Sequence, residues 1–274
     1  MTQMIRNVTG TAFVVAEFRA EENDAADPLY HDPIVDLFLD ETTRRAAARI
    51  ANGYPQMCEM VKIRTRYFDD VLERQLNAGC QQVVVLGAGL DTRALRKPGA
   101  DVTYFEIDDV ATLALKRRCL EHHGIRANAK FIAGNYVTDG MLPLLIRNGF
   151  DPDLSTYVIW EGNTMYLPLD TDKAILDQLC DNLADFRVSF DYLAKSVITK
   201  TTGEAGLTWM AEGFAKMGAP WITGFDNIRA VANDVKLRVV DNFTTGALYR
   251  VYRPLASDRP IFGPFYSVCT LASG

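Results

Sequence analysis

The chain is short of the residues that several functional classes need. It has five cysteines in 274 residues, an odd number, and three histidines. Cys58, Cys80, Cys119, Cys180 and Cys269 are scattered and form no C-x-x-C pair. That argues against a disulfide framework and against a zinc site, and no metal is expected. No apolar run is long enough to span a bilayer, and MTQMIRNVTGTAFVVAEFRAEEND holds only a short apolar run between charges. No signal peptide is read, so the expectation is a soluble cytoplasmic protein away from the membrane. Basic excess is missing too. The net charge is −6 with both signs interspersed, so no stripe of positive charge is available to follow a nucleic-acid backbone. There is no repeat and no low-complexity tract.

What remains is a chain 48% apolar and long enough for one large α/β domain. The first 80 residues read as helices. IVDLFLDETTRRAAARIA has helical spacing, and QMCEMVKIRTRYFDDVLERQLNA places Met57, Met60, Ile63, Tyr67, Val71 and Leu76 near one face. Gly53-Tyr54-Pro55 separates them. From Gln81 short apolar runs alternate with helices: strands at 83–87, 102–107, 130–134, 156–160 and 187–193, helices at 91–97, 109–122, 138–147 and 170–185. Near-continuous apolar strands between helices predict a parallel sheet covered on both faces. The tail adds helices in 202–218 and 225–235, then KLRVVDNF and GPFYSVCTLA as strands around a short helical segment. The expected architecture is one α/β domain, a doubly wound, mostly parallel, seven-stranded sheet. A helical cap takes 1–80, a cofactor-binding core 81–200, and the last part, 201–274, holds a helical insertion near 201–235 and the last two strands.

VVVLGAGLDTRALR (83–96) raises the functional question. Gly87 and Gly89 allow a tight turn and close approach of a ligand to the backbone. A dinucleotide fingerprint would place a third glycine at 92, where Thr92 stands. A pyrophosphate at the helix N-terminus would also meet the negative charge of Asp91. Asp91 equally suits a helix cap. The turn therefore fits a ligand with an adenosine, a cationic end and no phosphate, and S-adenosyl-L-methionine has these features. About 20 residues on, FEIDD places Glu106 and Asp108 on one side of the strand end, where an acid accepts from ribose hydroxyls.

TAFVVAEFRA (11–20), YHDPIVDLF (30–38), IRTRYFDD (63–70), QVVVLGAGLDTRALR (82–96), YFEIDDV (104–110) and WEGNTMYLP (160–168) together resemble the leucine carboxyl methyltransferase family. That family includes bacterial polyketide carboxyl O-methyltransferases. The similarity covers roughly 11–168. It implies a class I methyltransferase fold and S-adenosylmethionine as cofactor. It also implies that Gly87, Ala88 and Gly89 pass under the cofactor and that Asp108 holds its ribose. Arg64 would clamp the methionine carboxylate with its guanidinium fork, and Glu161 would face the amino group or the reacting end. The family pattern after the third strand is Asp-Leu, but here it is Asn135-Tyr136. Asn135 could accept from the adenine amino group through its carbonyl oxygen, and Tyr136 could pack on the ring.

The acceptor is less visible. A carboxylate is already ionised at neutral pH and needs no base, whereas an alcohol or amine normally does. Bases are scarce: His122 and His123 end a helix far from the reacting end, and His31 and Tyr166 are weak catalytic candidates. Trp209, Met210, Phe214, Met217 and Trp221 offer apolar bulk for a substrate wall. Tyr249, Arg250, Tyr252 and Arg253 cluster in the tail, where an arginine could grip an acidic substrate. The leading expectation is an O-methyltransferase for a carboxylate on a small metabolite, such as a polyketide or other natural product. The alternatives are a hydroxyl O-methyltransferase, a protein C-terminal carboxyl methyltransferase, a nicotinamide oxidoreductase and a binding module without turnover.

Overall fold

The computed structural model describes residues 8–99, 101–256 and 263–274. The N-terminal helices are α1 (Val8–Ala20), α2 (Glu41–Gly53) and α3 (Pro55–Asn77). The segment expected as one helix from residue 34 is broken into a 3-10 turn, Val35–Phe38, and α2. Asp40 interrupts it. Its carboxylate accepts the Thr43 N–H at 2.8 Å, and the Thr43 hydroxyl accepts the Asp40 N–H at 2.9 Å. This reciprocal cap satisfies donors that a continuous helix would have used otherwise. Pro55 opens α3, where a missing N–H costs nothing.

The alternating region forms β1 (Gln82–Leu86), α4 (Arg93–Arg96), β2 (Thr103–Asp108), α5 (Val110–His122), β3 (Ala129–Ala133), α6 (Met141–Arg147), β4 (Thr156–Trp160), α7 (Leu169–Asn182) and β5 (Phe186–Leu193). A π-helical turn, Tyr136–Gly140, leads into α6. After β5 come α8 (Lys195–Ile198), α9 (Ala205–Lys216), α10 (Ile228–Asp234), β6 (Arg238–Thr244), α11 (Thr245–Tyr252) and β7 (Tyr266–Ala272). The seven strands lie in the order β3-β2-β1-β4-β5-β7-β6. β1 to β5 are parallel, and β7 runs antiparallel to both β5 and β6. The mostly parallel, doubly wound sheet is thus the one expected.

Period-two alternation sends each strand's side chains to both faces. Val84, Leu86, Phe105, Ile107, Val158, Trp160 and Val188 pack with Leu144, Ile175, Leu176 and Leu179 of α6 and α7. Val83, Val85, Tyr104, Tyr157, Ile159 and Val268 pack with Ile63, Tyr67, Phe68, Val71 and Leu72 of α3. α3 is therefore a layer of the core rather than part of a detached cap. A third cluster joins Val14 and Phe18 of α1 to Met57 and Met60 of α3 and to Leu207, Met210 and Phe214 of α9. The order of strands reverses at β1, between β2 and β4, which opens a crevice at their carboxyl ends.

Candidate functional site

A cleft of about 660 Å³ opens at that crevice. Its walls come from α1 (Thr11, Ala12, Val15, Arg19), the β1 turn, the ends of β2, β3 and β4, and Arg64 of α3. Its size falls within the range of roughly 300–1,000 Å³ usual for small-molecule sites.

The glycine turn is built for close approach. Gly87 and Gly89 have φ of +62° and +50°, a conformation that favours glycine. A Cβ on Gly87 would collide with the Asn163 carboxamide, and one on Gly89 would meet the Ala12 methyl at 3.4 Å. α1 thus lies directly against the turn. Asp108, at the end of β2, accepts the Gly89 N–H at 2.6 Å and the Asp109 N–H at 2.6 Å. Burial raises its pKa to about 6, although those two N–H groups oppose the shift.

Asp91 is half of a buried ion pair. It accepts the Arg93 N–H at 2.7 Å and meets the Arg93 guanidinium. Burial would raise its pKa, but Arg93 and Arg19 outweigh burial and bring it down to about 2. The carboxylate lines the cleft and stays ionised. The helix itself starts one residue later, with Thr92 before α4.

The far end of the cleft is a lattice of charges. Arg64 Nε donates to Glu161 at 2.9 Å, and Arg64 Nη1 donates to Asp191 at 2.9 Å and to the Tyr266 hydroxyl at 2.7 Å. Glu161 also meets Arg93 Nη1 at 2.8 Å. Burial opposes ionisation of Glu161, yet Arg93 and Arg64 hold its pKa below the usual value. Asp191 is pushed up by burial, with Arg64 resisting. Arg93 reaches Asp69 at 2.7 Å, and Arg96 reaches the same carboxylate at 2.7 Å. Arg19 pairs with Asp32 and donates to Leu90 O at 3.0 Å and to Thr92 at 2.9 Å.

Arg64, Gly87, Ala88, Gly89, Asp108, Asn135, Tyr136 and Glu161 all line this one cleft. Three details differ from expectation. Glu106 does not line it: its side chain is buried against Lys116 of α5, and burial lifts its pKa to about 7 despite that partner. Only the terminal acid of β2 reaches the opening. Asn135 spends its carbonyl oxygen on the Val137 N–H at 2.9 Å and the Thr138 N–H at 3.3 Å, capping the π turn. That oxygen is therefore committed to backbone rather than to adenine. Arg64 has one arm of its fork tied to Asp191 and Tyr266, so a two-armed clamp does not fit.

The weaker candidates lie elsewhere. His31 is exposed and outside the cleft. Tyr166 does not line it and bonds to Trp221 and Thr11. Trp209 is exposed and covers Gly53, while Phe214 stacks on Trp221 at 4.9 Å. Tyr249 is packed in the α3 core, Arg250 is exposed, and Arg253 pairs with Glu22 at 2.6 Å. None of these five lines the cleft. Asn163 was not singled out in the sequence. It donates to Leu86 O at 3.3 Å and Glu161 O at 2.7 Å and accepts from the Tyr136 hydroxyl at 3.1 Å. Its only signal was membership of the WEGNTMYLP string.

Among the described residues no group of three or more His, Cys, Asp or Glu side chains is arranged to hold a metal, and no helix is long and apolar enough to cross a membrane.

A parallel sheet with an antiparallel last strand, and a glycine turn facing an acid at the next strand end, define the class I methyltransferase architecture. The leucine carboxyl methyltransferase family model matches residues 12–180, and the chain belongs to that family. A relative from Mycobacterium tuberculosis, provisionally named an S-adenosyl-L-methionine-dependent methyltransferase, is 34% identical over 188 residues. That match takes in 63% of this chain and 54% of the relative, so the chain spans about half the length of the curated relatives it matches. A solved structure provisionally named a methyltransferase, from Thermobifida fusca, is 17% identical with a TM-score of 0.63, covering 94% of each chain. Magnesium protoporphyrin IX methyltransferase from Synechocystis, solved with S-adenosylhomocysteine bound, is 11% identical with a TM-score of 0.52. It covers 96% of this chain and 100% of that one. These two likenesses concern the fold.

Proposed function

We propose that the protein is an S-adenosylmethionine-dependent O-methyltransferase whose acceptor is a carboxylate on a small metabolite, of the polyketide or natural-product kind. The residues present fit the cofactor. Gly87 supplies a turn with no side chain, Asp108 an acceptor at a strand end, and Tyr136 an aromatic wall. Arg64 and Glu161 supply opposite charges for the zwitterionic amino-acid end. When bound, S-adenosylmethionine supplies an electrophilic methyl group on a sulfonium. The ionised Asp91 and Glu161 tolerate that positive charge, where a phosphate would be repelled.

The observation that carries the choice of acceptor is the lack of a base at the reacting end, since Asp108, raised to about 6 by burial, is the acceptor for the ribose. Among the described residues lining the cleft there is no histidine and no lysine. Glu161 is held ionised by two arginines, which weakens it as a base. Tyr136 has its pKa pushed up by burial. A carboxylate needs alignment rather than deprotonation, so this cleft suits it better than a hydroxyl.

The test is calorimetry followed by an acceptor screen. The protein should bind S-adenosylhomocysteine at micromolar concentration and NAD not at all. Transfer of a labelled methyl group to small carboxylic acids should give a product whose label is released by mild base, as for an ester. Binding of NAD alone would sink the cofactor reading, and base-stable product would move the reaction to a hydroxyl.

A further inference from the structure

The family match ends at residue 180, yet two side chains beyond it bond to Arg64 at the charged end of the cleft. Asp191 lies on β5 and Tyr266 on β7, and both are buried. A guanidinium carries five N–H donors: one on Nε and two on each terminal nitrogen. Arg64 gives its Nε–H to Glu161 and two Nη1 hydrogens to Asp191 and Tyr266. Among the described residues Nη2 has no hydrogen-bond partner. It lies along Gly162, where an added Cβ would sit 3.2 Å from it.

The same two residues fix the opposite wall. Asp191 Oδ2 takes Arg64, while its Oδ1 accepts the Gly162 N–H at 2.6 Å and its backbone carbonyl accepts the Thr164 hydroxyl at 2.6 Å. The Tyr266 hydroxyl donates to Asp191 and receives Arg64. One carboxylate therefore spans the arginine of α3 and the loop after β4, and one phenol from the last strand locks that carboxylate in place. Glycine is needed at 162, since its φ is +73°.

We propose that Asp191 and Tyr266 are positioning residues that turn Arg64 so that Nη2 alone meets the carboxylate of the cofactor's amino-acid end. The proposal rests on the cofactor reading above. It gives the last strand of the sheet a part in ligand selection, although neither residue needs to touch ligand.

The experiment compares two ligands on three proteins. S-adenosylhomocysteine has the amino-acid carboxylate, and 5′-methylthioadenosine keeps the nucleoside but lacks it. Tyr266→Phe keeps the ring and removes the lock. Thr270→Val is the control: it removes a buried hydroxyl from the same strand, one that bonds Tyr67 at 2.6 Å and Ser189 at 2.7 Å and not Arg64. Calorimetry should show Tyr266→Phe binding S-adenosylhomocysteine about tenfold more weakly, the cost of one charge-assisted hydrogen bond. Its binding of 5′-methylthioadenosine should stay within about twofold of the wild type, the margin that an interaction it does not touch allows. Thr270→Val should bind both ligands as the wild type does. Equal losses for the two ligands, or no loss for either, would overturn the positioning role while leaving the cofactor intact. A wild type that binds neither ligand would remove the cofactor reading and this inference with it.

Discussion

Asp108 is placed to feel both its ligand and the pH. Two backbone N–H groups steady its carboxylate, while burial raises its pKa to about 6. A ligand hydroxyl donates best to the ionised form. Affinity for S-adenosylhomocysteine should therefore rise from pH 5 to about 6.5 and level off above, with a limiting slope of about tenfold per unit. Asp108→Asn keeps an acceptor for Gly89 but does not titrate. It should bind more weakly at pH 7.5 and show a flat profile. An unchanged slope in that variant would assign the titration to another group. At this scale the sequence was partly readable. Asp108 and the glycines stood in a fixed order of strand, turn, helix and acid. Glu106 shared their face of β2, but period-two alternation does not say how far along the strand the cleft begins. Lys116, one helix away, claims that carboxylate. Asp191 and Tyr266 gave no local signal, because their meaning comes from pairing across β5 and β7 with a residue of α3.

Among the elements, α1 contributes most that strand-and-helix periodicity could not show. Its inner face supplies Thr11, Ala12, Val15 and Arg19 to the cleft. It is pinned by Arg19, which reaches Asp32, Thr92 and the carbonyl of Leu90 just past the glycine turn. Asp32 is fully buried, and its other cation, Arg96, lies at 3.4 Å. Arg19→Met should therefore leave a buried charge poorly compensated and cost about 3–5 kcal/mol in urea unfolding. Adding Asp32→Asn should recover part of that loss, since removing both partners is less damaging than removing one. A loss below about 1 kcal/mol in the single variant would mean that Arg96 and solvent carry the charge. The strands from 81 to 193 were legible within a residue, because continuous apolar runs leave little choice, and the helices between them within three residues at each end. The break at Asp40 was not, since one capping side chain outweighed good helix formers on both sides. Trp209 and Phe214 of α9 read as bulk for a substrate wall, but Phe214 packs in the cluster with α1 and α3, Trp209 is exposed over Gly53, and neither lines the cleft.

Across the whole molecule, buried acids of two kinds set opposite pH limits. Asp91 and Glu161 are held below their ordinary pKa by arginines, so they stabilise the fold above pH 4 and lose that contribution only in stronger acid. Asp172 is of the other kind. It is buried in the first turn of α7, neither carboxyl oxygen has a hydrogen-bond partner among the described residues, and burial alone raises its pKa to about 8. A carboxyl whose folded pKa exceeds its unfolded value keeps its proton in the fold and gives it up on unfolding. It costs nothing below pH 4, costs progressively more as pH rises, and reaches its full cost above pH 8. Glu106 and Asp108 add smaller costs that saturate near pH 7 and pH 6. Asp172→Asn removes the largest of these titrations while keeping the side chain's shape. The buried amide has its own fixed desolvation cost, so the sign of the difference at one pH is not informative, but its slope is. Relative to the wild type, the variant's urea midpoint should climb steadily between pH 4.5 and pH 8, then run parallel above pH 8.5. A difference that stays constant across that range would show that Asp172 is ionised and solvated in the fold, and that the upper pH limit is set by some other group.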